Sequence, residues 1–188
     1  MLNPLLPVRM MFSAHTGWDE AARRHPSVRS TFLYRTLPWS LLASAMVWQA
    51  LGQHAAAYDS HLDAFGVNMV ALSFMLTCWV GSWLMAQFTR TVVSTERPPA
   101  LAECYHLVVL ASWPVWLSSL SLLLPLPWFN ALAALAGLWG SLSLLYHGLD
   151  GWYEHNDSTN TLFKAYVVMV VGALLWTAVA ATLLLVIS

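Results

Sequence analysis

Residues 101–149 read LAECYHLVVLASWPVWLSSLSLLLPLPWFNALAALAGLWGSLSLLYHGL. Two apolar runs, Leu101–Leu124 and Phe129–Leu149, flank Pro125-Leu126-Pro127, a link with room only for a tight hairpin. Each run has the twenty or so residues that a ~30 Å hydrocarbon core demands of a helix rising ~1.5 Å per residue. The stretch therefore predicts two antiparallel membrane-spanning helices. Working outward, apolar runs of similar length stand at Leu37–Tyr58, Ala64–Phe88 and Phe163–Ile187. The expected fold class is an all-α membrane protein, a five-transmembrane-helix bundle over residues 37–188. A cytoplasmic N-terminal segment, residues 1–36, precedes it.

Charge orients the bundle. All eight Lys and Arg residues fall on one side of the five-span map. Arg9, Arg23, Arg24, Arg29 and Arg35 precede the first run, Arg90 and Arg97 separate the second from the third, and Lys164 separates the last two. The positive-inside rule then puts the N-terminus in the cytoplasm and the C-terminus outside. Composition agrees: 59% of residues are hydrophobic and only 9% charged, about a third of the charged fraction usual in a soluble domain. A net charge of −1 argues against a nucleic-acid partner. Of the eleven tryptophans, Trp39, Trp83, Trp128 and Trp152 stand near expected span ends, where an amphipathic ring suits the headgroup zone.

Ahead of the first run no cleavable signal peptide is legible. Pro4, Pro7 and Arg9 interrupt the opening apolar stretch, and no small-residue cleavage site follows. Leu5, Val8, Met11 and Phe12 recur at helical spacing, with Trp18 extending the apolar side before Arg23, Arg24 and Arg29. The pattern predicts an amphipathic helix lying in the cytoplasmic interface, or the same helix docked beneath the bundle. Pro38 opens the first span, where its missing N–H costs nothing.

Small residues recur every fourth position on three runs: Ser73, Thr77 and Gly81; Ala133, Gly137 and Ser141; Ala173, Thr177 and Ala181. Such ridges allow close helix approach, either within the bundle or against a partner. Cys78 and Cys104 have no CxxC neighbour and read as buried small apolar side chains. No Asp, Glu, Lys or Arg lies near the middle of any run, where ion-coupled transporters keep such groups for work. No phosphate-binding loop, nucleophile triad or carboxylate pair can be assembled, so an enzyme is not expected.

One constellation carries chemistry. The third run begins Glu103-Cys104-Tyr105-His106, and the fourth ends His147-Gly148-Leu149-Asp150. In each, a carboxylate and a histidine three apart share a helical face. Counted from the hairpin, both histidines lie roughly 27 Å away and both carboxylates about 31 Å away. Glu103, His106, His147 and Asp150 could thus hold a divalent metal such as zinc or iron, and the two histidines alone could ligate a haem. The bland alternative is a hydrated rim, with Glu103 favoured by the helix dipole. On the other side, His54 and His61 are seven apart and could share a helical face.

Several residues together resemble a known family. Gly17-Trp18-Asp19-Glu20-Ala21 is followed by His25-Pro26-Ser27 and an arginine before the first run. The third run carries Trp113-Pro114 with Leu117, Leu120 and Pro125, and the fourth continues Leu144-Leu145-Tyr146-His147-Gly148-Leu149. The chain resembles the bacterial branch of the Yip-domain family, whose eukaryotic members are named for binding Ypt/Rab GTPases. The resemblance implies a five-helix protein of the cell inner membrane without catalysis, its C-terminus periplasmic. The Rab role does not transfer to a bacterium. His147-Gly148-Leu149-Asp150 departs from the apolar Leu-Gly-Leu-Pro run expected there. The leading expectation is an accessory or scaffold subunit with a membrane-protein partner or a second copy of itself. A small transporter or metal-handling protein and a haem-bearing helix pair are the alternatives.

Overall fold

The computed structural model describes residues 27–93, 99–153, 163 and 166–178, with 150–153 described as backbone alone. The expected N-terminal amphipathic helix lies outside these residues. All regular structure among the described residues is helical.

The first helix starts earlier than its apolar run. Ser27 caps it, its Oγ accepting from the Ser30 N–H at 3.1 Å. A short α-helical turn, Val28–Thr31, runs without a break into a π-helical stretch, Phe32–Thr36, and then into α1, Leu37–Gln53. Pro38 is therefore not at a free helix start. Lacking an N–H and crowding the carbonyl four residues back, proline disfavours a regular α-turn upstream, and the wider turn lies there. The Leu37 N–H donates to the Phe32 carbonyl, five residues back, as a π-turn requires. At the far end α1 stops at Gln53, and Tyr58 belongs to a 3-10 turn, Ala55–Tyr58. Asp59 follows at φ 52°, in the left-handed region, which reverses the chain.

α2 spans Ala64–Val92, and the Asp63 carboxylate accepts from the Gly66 N–H at 2.7 Å to cap it. α3, Leu101–Ser118, passes into a 3-10 stretch, Ser119–Leu123, before the proline link. Pro127 then opens α4, Pro127–Tyr153. α5 is described over Tyr166–Ala178. Ala64–Val92, Leu101–Leu123 and Pro127–Leu149 are each long and apolar enough to cross a membrane. The α3–α4 pair forms the hairpin expected of residues 101–149.

One core joins the helices. Ala43 of α1, Cys78 and Ala86 of α2, Leu107 and Trp116 of α3, Leu144 and Leu149 of α4 and Val168 of α5 are all 2% exposed or less. Both cysteines are free and buried, as expected. Small residues let the helices approach. A Cβ built on Gly137 would sit 2.8 Å from the Pro114 carbonyl oxygen and 2.9 Å from Ser118. Gly172 faces the Met85 methyl, and Gly81 faces Leu175. Two of the three ridges thus reach other helices of the same chain, whereas Ser73 is exposed and Ala181 lies outside the described residues. Because the helix begins at Val28, the Trp39 indole lies three turns inside it and packs edge-on against Trp113 at 5.4 Å.

Candidate functional site

Arg29 and Arg35 near the start of the first helix, and Arg90 near the end of α2, mark one end of the bundle as basic. Glu103 and His106 lie at that end, in the first turns of α3. The Glu103 carboxylate reaches back to accept from the Ala100 N–H at 3.1 Å, a capping contact. His106 is 8% exposed, with its Nδ1 3.3 Å from the Thr31 Oγ1. The adjacent Tyr105 hydroxyl lies 2.9 Å from the Thr36 Oγ1.

These contacts begin a buried hydroxyl stripe along the first helix, and that stripe escaped the sequence reading. Thr31, Thr36, Ser40 and Ser44 are all buried. Ser40 donates to the Leu37 carbonyl and accepts from the Trp79 indole N–H at 2.8 Å. Ser44 donates to the Ala71 carbonyl at 2.6 Å. The stripe grips α3 at its base and α2 above. Its signal was the hydroxyl spacing of five, four and four residues beside Pro38.

His147 is half-buried, its ring edge-on to Tyr146 at 5.5 Å. The Gly137 contact supplies the register of the hairpin. Gly137 sits between Pro114 and Ser118, so ten residues further along α4 and ten back from the middle of that pair lead to His147 and His106. Counted along ideal helices, this register puts the two histidines at a similar level. By the same count, ten residues turn each of them about a quarter-turn off the contact line. Asp150 lies in α4, with its side chain outside the described residues. Among the described residues, no three His, Cys, Asp or Glu side chains gather closely enough to hold a metal. His106 directs Nδ1 at Thr31, which leaves Nε2 as its ligand nitrogen.

The opposite end has its own clasp. The Asn130 Nδ2 donates to the Tyr58 hydroxyl at 2.6 Å and to the Leu124 carbonyl at 3.1 Å. It ties the connection after α1 to the hairpin, and burial pushes the Tyr58 phenol above its ordinary pKa. His54 and His61 do not share a helix face, because the 3-10 turn and Asp59 separate them. His61 lies 4.0 Å from the Asp59 carboxylate, with both side chains open to solvent.

The buried hydroxyl stripe and the Tyr58–Asn130 clasp thus hold helices together, within a mostly apolar bundle. No curated protein and no solved structure matches the chain. The sequence model of the Yip1 domain does match, over residues 8–181, and this helical membrane protein belongs to the Yip1-domain family.

Proposed function

We propose that this protein is a non-catalytic accessory subunit of the bacterial inner membrane, docking on or stabilising a larger membrane assembly. The observation that carries this reading is the use of its buried polar groups. Thr36, Ser40 and Ser44 bond to neighbouring helices, and Ser82 and Ser112 donate to carbonyls of their own helices. Such groups rigidify a bundle. α1 and the chain around α5 complete five spans, with the basic end in the cytoplasm and the C-terminus in the periplasm. Arg29, Arg35 and Arg90 at one end support that orientation. The partner is another membrane protein or a second copy, within the lipid bilayer. Native gel electrophoresis of gently solubilised membranes tests the idea. The protein should migrate in a discrete band far above its 20.9 kDa mass plus a detergent micelle, and migration as a lone chain would contradict it.

A second reading keeps Glu103, His106, His147 and Asp150 as a site for a divalent metal. The shared level of the histidines favours it. Metal analysis of the purified protein should then find an ion that the His106→Ala/His147→Ala variant lacks. Unchanged metal content in that variant would end this reading.

A further inference from the structure

At mid-span, α2, α3 and α5 surround a cavity of about 20 Å³. Its lining includes Thr77, Cys78 and Ser82 of α2, Ser112 of α3, and Leu175 and Trp176 of α5. Cys78 is the central residue of the apolar helix Ala64–Val92, and Ser112 that of Leu101–Leu123. Lipid at that depth offers no hydrogen bond. Any polar need of the lining has to be met from inside the bundle.

The hydroxyls here are one-sided. Ser82 gives its proton to the Cys78 carbonyl at 2.7 Å, Ser112 to the Val108 carbonyl at 2.9 Å, and Thr77 to the Ser73 carbonyl at 2.7 Å. Each bond stays within one helix, a habit of serine and threonine in apolar helices. What the three oxygens keep is their lone pairs, so toward the cavity they are acceptors only. The layer also holds a spare donor. The Trp116 indole N–H, one turn beyond Ser112 on α3, is buried and finds no oxygen; beside it lies the Cys78 sulfur, a weak acceptor. Cys78 in turn has an S–H to give.

We infer that the cavity is a binding site for one water molecule, which bridges α2 and α3. Water donates to Ser82 and Ser112 and accepts from the Cys78 S–H, about three bonds, the usual number for a buried water. The size fits, since a single water needs roughly 10–15 Å³ of such space. Charge and bulk exclude the other occupants that acceptor oxygens would suit. A cation would be an uncompensated charge, because no Asp or Glu lies near the middle of any run. An organic ammonium is too large for about 20 Å³. α1 bonds its neighbours directly, through Thr36, Ser40 and Ser44. α2 and α3 are instead joined at mid-depth through solvent.

Water-edited solid-state NMR of the full chain in lipid nanodiscs, with serine carbons labelled, tests the site. Magnetisation from water protons should build up several-fold faster at Ser82 and Ser112 than at Ser40. Ser40 is the control: it is 0% exposed, bonds Trp79 within a turn of Ser82, and lies outside this cavity. Gly81 also lines the cavity, and a methyl there meets Leu175 at 3.5 Å, an ordinary contact. Gly81→Ala should therefore fold, fill the space and bring the build-up at Ser82 and Ser112 down to the Ser40 level. Equal build-up at all three serines in the native chain would overturn the inference. So would fast transfer that survives Gly81→Ala, which would put the water elsewhere. Should Gly81→Ala not fold, Ser112→Val fills the cavity instead, read at Ser82 with the same overturning result.

Discussion

At Gly137 a single hydrogen decides how closely two helices approach. An added methyl would meet the Pro114 carbonyl oxygen at 2.8 Å and the Ser118 Cβ and Oγ at 2.9 Å, and the backbone oxygen cannot swing aside. Gly137→Ala should therefore destabilise the bundle by about 1–3 kcal/mol, the usual cost of overpacking. Gly52→Ala, with its nearest neighbour at 3.9 Å, is the matched control and should be near neutral. Thermal unfolding in mild detergent compares the two, and equal losses would show that the close approach is not real. Trp79→Phe removes the indole donor to Ser40 but keeps an aromatic ring. Interhelical bonds of this kind average about 0.6 kcal/mol, so a small loss is expected in the same assay. The sequence named Gly137 as part of a ridge but could not say which helix it would touch. That depends on the rotation of α3, which a proline and a run of leucines leave open.

The elements show where local reading succeeds and where it stops. The α3–α4 hairpin was legible, because two long apolar runs around Pro-Leu-Pro have few alternatives. The start of the first helix was not. Pro38 reads as a beginning, since proline favours the first turn, but a π-stretch lets the helix continue through it from Val28. A count along the chain gives a level for His106 and His147 but no direction, because direction needs the helix rotations that packing sets. The Tyr58–Asn130 clasp was also hidden, its partners being far apart in sequence and joined only when the hairpin folds. In a double-mutant cycle, Tyr58→Phe and Asn130→Leu should be non-additive by about 0.5–1.5 kcal/mol, the net worth of one hydrogen bond. Additive losses would mean that the clasp does not form. Because the folded state holds the Tyr58 proton more tightly, its contribution should be full below the ordinary phenol pKa of 10.0 and fade as pH rises through the elevated one. Stability measured across alkaline pH in wild type and Tyr58→Phe tests that sign. A wild-type advantage that grew with pH would refute it.

For the whole molecule, span count and orientation are tested together. Reporter fusions should show a C-terminal tag exposed to the periplasm and a tag in the 150–161 connection retained in the cytoplasm. Both tags on one side would contradict five spans. The central claim is that this bundle exists to join another membrane protein. Its most direct test is affinity capture of the tagged protein, expressed at its native level and solubilised gently from its own membranes, with the eluate quantified by mass spectrometry. The account predicts one membrane assembly recovered in fixed stoichiometry with the bait. Recovery of the chain by itself, with only substoichiometric companions, would contradict it.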